Sequence, residues 1–303
     1  MHKFLNVKLT QEGPVFSRII HGFWRLLDWN LSIPEARYFI NELVDSGITT
    51  FDHADIYGDY RCEEVFGEMF SNAGIPREKV QLVTKCGIKL ISANRPNHRI
   101  KYYDTSFQHI VESVNRSLQN LRTDYLDVLL IHRPDPLMDA DEVAKAFDHL
   151  KQSGKVRFFG VSNFSQNQME LLQSRLSFPL VTNQIEYSLL NLDAQKSGLL
   201  DYLQKKKIYP MIWSPFAGGR LFHSDDVRIK NLQDVLSNLA IEKDASNDQI
   251  ILAWILKHPA GLMPILGTGK LERIKSAIKA LEIEISREEW FLLLRAVTGQ
   301  DVP

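Results

Sequence analysis

Leu126–His132 reads LDVLLIH, a short, nearly continuous apolar run that stops on an ionisable side chain. A run of this kind suits a strand covered on both faces, as strands of parallel sheets are. The segment after it, DADEVAKAFDHLKQSG, carries apolar residues at helical spacing and reaches Gly154, a residue suited to closing a helix. Strand followed by helix is one βα unit, and the alternation recurs in both directions along the chain. The other expected strands are Arg18–Phe23, Ile48–Asp52, Gln81–Lys85, Val156–Val161, Leu180–Gln184, Tyr209–Trp213 and Leu262–Leu266. Between them lie helical patterns such as IPEARYFINELVDSG, which runs into Gly47, TSFQHIVESVNRSLQNL and QNQMELLQSRL.

Eight strands at roughly 38 residues per unit predict an α/β fold, a closed (β/α)8 TIM barrel, with residues 1–303 forming a single domain. The competing open, doubly wound sheet would place a G-x-G-x-x-G turn after its first strand, where this chain has HGFWRLLDWN. KFLNV and GPVFS are expected to pair as an N-terminal β-hairpin closing the barrel floor, and SREEWFLLLRAVTG to be part of the extra C-terminal helices.

Composition removes several function classes. The 303 residues are 44% hydrophobic and 24% charged, ordinary for a soluble globular protein. A net charge of −1 supplies no field for sequence-independent binding to nucleic acid or to an anionic membrane, so neither is expected as a partner. Lys205–Lys207 reads as a solvated helix end. Two cysteines, Cys62 and Cys86, make neither a disulfide framework nor zinc-site spacing. No secretory pattern and no window of about 18 apolar residues is found, so the expected location is the cytoplasm. No sustained heptad demands a partner helix, and the expectation is a monomer or weak homo-oligomer.

LGTGKL is not a phosphate-binding P-loop, because Pro264 stands where the first glycine is needed and Leu271 where Ser or Thr must bind magnesium. His53, Asp55 and His132 could in principle hold zinc, but no H-x-H or H-E-x-x-H accompanies them, and no metal is expected.

Active residues of a barrel sit at the C-terminal ends of its strands. Here the second expected strand ends in Asp52 with Tyr57 just beyond, the third in Lys85, the fourth in His132. Singly, each has a plain reading: Asp52 a helix cap, Lys85 an ion-pair partner, His132 a core histidine, Tyr57 packing. Together, on one rim, they suit acid–base chemistry at a carbonyl oxygen. A nearby Lys85 cation is expected to favour the Tyr57 phenolate and so strengthen the phenol as an acid. Asp52 would hold the ammonium charged, and His132 would hydrogen-bond the oxygen that receives the proton. A reduction would still need a hydride-bearing cofactor.

The chain resembles the aldo-keto reductases along nearly its whole length, through IIHGFW, FDHADIYGD, LVTKCG, DYLDVLLIHRPD, GKVRFFGVSNF, TNQIEYS, WSPFAGGRL and PILGTGKLERIKS. It looks most like the bacterial members described as general oxidoreductases. The resemblance implies a (β/α)8 barrel that reduces an aldehyde or ketone, a small-molecule partner, by hydride transfer from nicotinamide C4. It makes Asp52, Tyr57, Lys85 and His132 the catalytic set, with Tyr57 as general acid. It implies cofactor contacts from Gly22 and Phe23, from Ser162, Asn163 and Gln184 on the carboxamide, and from Trp213 stacking where many members have tyrosine. Ser214, Pro215, Phe216, Gly218, Gly219 and Arg220 would follow the pyrophosphate. Gly267, Thr268, Gly269, Lys270 and Arg273 would meet the adenosine end, tilting the cofactor toward NADPH over NADH. Trp24, with Phe23, is expected to line the substrate pocket. Gly267 replaces a frequent lysine, and Ser276 and Ala277 replace an acid–amide pair near the adenine. The potassium-channel β subunits also resemble this chain, as cofactor-binding regulatory partners; the complete set of four favours an enzyme.

Overall fold

The inside and outside of the molecule follow from strand parity. In the computed structural model, which describes residues 6–10, 13–223 and 226–302, twelve strands are found among the described residues. They are β1 (Asn6–Lys8), β2 (Val15–Ser17), β3 (Ile20–Gly22), β4 (Thr50–Asp52), β5 (Gln81–Cys86), β6 (Ile88–Lys89), β7 (Tyr102–Tyr103), β8 (Leu126–Ile131), β9 (Val156–Ser162), β10 (Asn183–Glu186), β11 (Met211–Trp213) and β12 (Met263–Leu266). Eight of these close into a barrel in the order β10-β11-β12-β3-β4-β5-β8-β9, every adjacent pair parallel. The expected (β/α)8 barrel is what the chain forms.

Side chains alternate across a strand, so one parity fills the barrel and the other meets the helices. Ile20, Val83, Val128, Leu130, Met211, Met263 and Ile265 form the inner cluster. Their sequence neighbours Leu82, Leu129, Ile131, Ile212 and Leu266, and Phe51 of β4, belong to the outer one, packed with the surrounding helices. Two residues further along the inward parity, at the C-terminal rim, stand Gly22, Lys85, His132 and Trp213. The polar rim is thus the next layer above an apolar plug, without any change of strand direction.

β1 and β2 pair antiparallel with Val7 opposite Phe16, and Leu9 and Phe16, both fully buried, close the floor against that plug. The described part of the expected hairpin is therefore present; Lys3, Phe4 and Leu5 lie outside the described residues. Four strand starts move by two residues or more: β3 from Arg18 to Ile20, β4 from Ile48 to Thr50, β10 from Leu180 to Asn183 and β11 from Tyr209 to Met211. β3 starts at Ile20 because Ser17 Oγ turns back to the Ile19 carbonyl (2.7 Å) and Arg18 bonds the carbonyls of Gly261 and Leu256 below the barrel. β10 starts at Asn183, because Val181 N reaches Phe159 O at 2.8 Å while the ladder to β11 begins only at Gln184.

The C-terminal helix Arg287–Thr298 opens with a Ser286/Glu289 capping box and is riveted to the helix Asn247–Leu256 by two indoles. Trp254 Nε1 donates to Trp290 O and Trp290 Nε1 to Trp254 O, each at 3.1 Å, with rings stacked at 5.0 Å. Among the described residues no helix is long and apolar enough to cross a membrane.

Candidate active site

β4 and β5 lie side by side, with Asp52 in register with Val83, and this sets the centre of the site. Lys85 is fully buried, and its Nζ donates to both Asp52 oxygens (2.8 Å each), to the His53 carbonyl (2.6 Å) and to Tyr57 OH (3.1 Å). From across the barrel Gln184 Nε2 donates to Asp52 Oδ1 at 2.7 Å. Three contacts from donors on two carboxylate oxygens fit an acceptor-only, ionised Asp52. Burial opposes the Lys85 charge, but Asp52 and the Tyr57 oxygen outweigh it and hold the ammonium above its ordinary pKa. The pair is Lys85 ammonium with Asp52 carboxylate.

Tyr57 reaches this cation because the chain leaves β4 along β5: His53 N bonds Val83 O and Asp55 N bonds Lys85 O. The phenol oxygen accepts from Lys85, and its own proton has no acceptor among the described residues. Here the structure corrects an expectation. Burial raises the Tyr57 pKa above its ordinary value; the Lys85 and Arg133 charges oppose the rise but do not reverse it. The phenol is protonated across the neutral range. His132 lies edge-on to the Tyr57 ring at 5.9 Å, and burial beside Lys85, Arg133 and Lys101 holds it well below its ordinary pKa, hence neutral. The four expected rim residues do converge.

A second polar chain leads away from Asp52. Ser162 Oγ donates to Gln184 O (3.0 Å), Asn163 Nδ2 to Ser162 Oγ (2.7 Å) and Trp213 Nε1 to Asn163 Oδ1 (3.0 Å). Of the described non-glycine residues with positive φ, Asp59, Tyr60, Asn163, Ser214 and Ala217 all lie at this rim. Backbone strain held there, outside regular structure, is a feature of binding sites.

The glycines after β11 form an open cradle. Gly218 and Gly219 have φ of 67° and 92°, and a Cβ on either would meet nothing within 4 Å. Arg220 is exposed beside them, Pro215 is buried, and Phe216 is half-buried against Phe222. A Cβ on Gly267 likewise meets only Gly22 O at 3.8 Å, whereas one on Gly269 would strike the Trp29 ring at 2.6 Å. Lys270 and Arg273 are exposed, with no ion pair among the described residues, and Lys270 precedes the helix Leu271–Lys279. Open backbone, a helix start and unpaired cations fit a dinucleotide with phosphates.

Phe23 is a second correction. Its ring is fully buried, stacked on His53 at 4.9 Å and edge-on to Phe66 at 4.6 Å, in the layer between barrel and helices. Gly22 holds the inward position, so the Phe23 ring faces neither a cofactor nor a substrate. Trp24, 65% exposed, stands at the mouth. Ala277 is buried in the outer core and the Ser276 hydroxyl is engaged by Gln249 and Asp248, so neither side chain is free to take over the contacts of the acid–amide pair whose positions they occupy. His53 also faces away from the mouth, and among the described residues no group of three or more His, Cys, Asp or Glu could hold a metal ion. The His53 carbonyl on Lys85 had no sequence signal, since any residue supplies one.

Residues 18–295 match the model of the aldo/keto reductase family. The chain belongs to the aldo/keto reductase family. It is 51% identical over 293 residues to the oxidoreductase YcsN of Bacillus subtilis, covering 96% of this chain and 98% of that one. It is 44% identical over 287 residues to a 6-dehydroglucose reductase of Agrobacterium fabrum, covering 94% and 96%. An aldo/keto reductase of Klebsiella pneumoniae, solved in complex with NADP and acetate, superposes with a TM-score of 0.76 at 27% identity, covering 95% of each chain. This aldo/keto reductase is therefore an NAD(P)H-dependent oxidoreductase, and a small carbonyl compound fits as its substrate.

The buried histidines of this reductase carry a pH prediction. Burial holds His21 down to about 4, its Nε2 bonded to Thr268 O at 3.0 Å and its Nδ1 without a partner. An unfolded histidine titrates near 6.5. The folded chain thus excludes a proton that the unfolded chain binds, and this stability is complete above pH 6.5 and lost as pH falls towards 4. For His21 alone the loss is about 3 kcal/mol. Urea unfolding at pH 7 and pH 4.5 should show the decline, and His21→Phe should remove its share, leaving the part that the buried His53, His109 and His132 contribute.

Proposed function

We propose that residues 1–303 act as one domain that reduces an aldehyde or ketone to an alcohol with NADPH, Tyr57 supplying the proton. The observation that carries this reading is the Lys85 ammonium between Asp52 and Tyr57, with the phenol proton left free to face the mouth. Bound NADPH supplies the hydride. Ser162 and Asn163 are suited to the carboxamide, Trp213 to one face of the ring, the Gly218–Gly219 cradle with Arg220 to the pyrophosphate, and Thr268, Lys270 and Arg273 to the adenosine 2′-phosphate. Gln184 already spends its amide N–H on Asp52, which leaves its Oε1 for the carboxamide.

The proton half of the reduction is carried by this chain's residues. A carbonyl oxygen entering between Tyr57 and neutral His132 meets two donors, the phenol O–H and an imidazole N–H. As negative charge grows on that oxygen, Tyr57 passes its proton. Lys85, donating to the phenol oxygen, stabilises the phenolate left behind, and Asp52 keeps Lys85 charged throughout. Elevation of the Tyr57 pKa in the free protein suits a donor, because the proton is present until the substrate oxygen takes it. The relative named 6-dehydroglucose reductase supports extending the substrate panel to sugar-derived carbonyls.

NADPH and NADH consumption across aldehydes, ketones and sugar-derived carbonyls tests the proposal. Carbonyl-dependent turnover with NADPH is expected, and the double variant Lys270→Ala/Arg273→Ala should weaken NADPH binding at least tenfold while changing NADH binding little. Equal loss for both cofactors would remove the 2′-phosphate assignment. Binding of cofactor without turnover on any carbonyl would favour the regulatory-partner reading.

A further inference from the structure

Tyr57 is followed by three residues in the left-handed region. Gly58, Asp59 and Tyr60 have φ of 55°, 57° and 68°, and only the first is a residue that takes this conformation freely. For a bulky side chain such as tyrosine a positive φ is an outlier, kept only where the surrounding contacts over-determine it. A left-handed turn directly after the proton donor therefore has to be held.

The inner side of the turn is a wall: a Cβ on Gly58 would strike Cys62 Sγ at 2.5 Å and the Leu27 side chain at 2.7 Å. The outer side is gripped by the segment between β6 and β7. Leu90 N donates to Tyr60 OH at 2.8 Å, and Asn94 Nδ2 donates to Asp59 O at 2.9 Å and to Asp59 Oδ2 at 3.2 Å. The Arg95 guanidinium lies over the Tyr60 ring at 4.5 Å, and its Nη1 donates to Asn94 O at 2.7 Å. His98 Nδ1 bonds the Leu90 carbonyl at 2.9 Å, so Leu90 is fixed on both sides. Each of the two non-glycine left-handed residues is thus tied by its own contact to one segment.

That segment continues the strand that carries Lys85, since β5 ends at Cys86 and β6 begins at Ile88. One stretch of chain therefore supplies both the Lys85 ammonium on the Tyr57 oxygen, at 3.1 Å, and the Leu90 N–H that anchors Tyr60. A change of φ at Asp59 or Tyr60 re-aims the chain around it, and Tyr57 is the nearest side chain with a geometric task.

We propose that Tyr60 and Asn94 are positioning residues, which hold the Tyr57 phenol on Lys85 through the strained turn although neither bonds the Tyr57 oxygen. This role rests on the carbonyl-reductase reading above and deepens it at the proton-transfer step. Asn94 is exposed and Tyr60→Phe keeps the ring under Arg95, so neither substitution opens the core.

The test uses the whole chain as wild type, Tyr60→Phe, Asn94→Ala, Asp59→Gly and Asn94→Ala/Asp59→Gly, with benzaldehyde, glyceraldehyde and 2,3-butanedione as carbonyl probes. Single-turnover hydride transfer from saturating NADPH reads the chemical step, and KM, NADPH affinity and thermal unfolding are measured alongside. Tyr60→Phe and Asn94→Ala should each lower the single-turnover rate about tenfold or more, with KM and NADPH affinity changed by less than about twofold. Asp59→Gly should restore much of the loss in the Asn94→Ala background, because glycine takes a positive φ without the clasp. The reverse reaction, oxidation of the matching alcohol with NADP+, needs Tyr57 as the phenolate that Lys85 favours. A looser Lys85 contact should therefore move the rising limb of its pH profile to higher pH in both single variants. Unmoved single-turnover rates, losses confined to KM, an unmoved limb, or no recovery in Asn94→Ala/Asp59→Gly would overturn the positioning role. If the wild type reduced none of the probes with either cofactor, the carbonyl-reductase reading would fall and this role with it; wild-type turnover with unmoved variants would sink the positioning role alone.

Discussion

Tyr57→Phe is expected to lower kcat/KM for carbonyl reduction by about 10²–10⁴-fold while leaving the fold intact. The substitution removes one oxygen. The ring stays where it packs against His132, and Lys85 keeps both Asp52 oxygens and the His53 carbonyl, so no buried charge is stranded. What disappears is the 3.1 Å contact through which Lys85 would stabilise the departing phenolate, together with the proton itself. Neutral His132 cannot take over as a strong acid, because it is held in the unprotonated form at neutral pH. Steady-state kinetics, with NADPH affinity and thermal unfolding run alongside, check this. Turnover within tenfold of the wild type would move the proton donor to another group.

The largest effect on stability is expected from Asp52→Ala. Lys85 is fully buried and its counter-charge would be gone, leaving two carbonyl-type or hydroxyl acceptors to hold an ammonium out of water. Breaking a buried pair from one side costs about 3–5 kcal/mol, more than the pair contributes when intact. Lys85→Met should cost less, because Asp52 can take a proton and still accept from Gln184. The double variant Asp52→Ala/Lys85→Met should be more stable than Asp52→Ala alone, since no charge remains to be hidden. Urea unfolding of the single and double variants gives the coupling directly. Additive losses would mean that Lys85 and Asp52 are not held as an ion pair.

Much of this site could be read in the sequence because strand parity and strand ends are local properties. Asp52, Lys85 and His132 each close an apolar run, and β-alternation brings all three to the inner face of one rim. The same rule, carried one residue further, would have turned Phe23 outward: Ile20 and Gly22 face in, so Phe23 must face the helices. His53, next to inward Asp52, is outward for the same reason. The rest was hidden because it depends on distance through space or on the amount of burial. Gln184 reaches Asp52 across the barrel, 132 residues away in sequence. Trp213 closes β11, and nothing local says that its indole N–H will bond Asn163. The direction of the Tyr57 shift turns on burial outweighing a neighbouring cation, a comparison no motif contains. The segment after β5 folds back as the small β6–β7 ladder, held by Leu90 N donating to Tyr60 OH at 2.8 Å and Asn94 Nδ2 donating to Asp59 O at 2.9 Å. Loop contacts of this kind have no period to read.

In the proposed reaction this chain turns over carbonyls with hydride from nicotinamide and a proton from Tyr57. The most direct measurement uses NADPH carrying deuterium at the transferable C4 position and follows the alcohol product by mass spectrometry, for the wild type and Tyr57→Phe. One deuterium is expected on the carbinol carbon in the wild type over many turnovers, and the same label formed at a rate lower by about two orders of magnitude or more in Tyr57→Phe. Tight NADPH binding with no labelled alcohol from any carbonyl, or equal labelling rates in the two proteins, would contradict it.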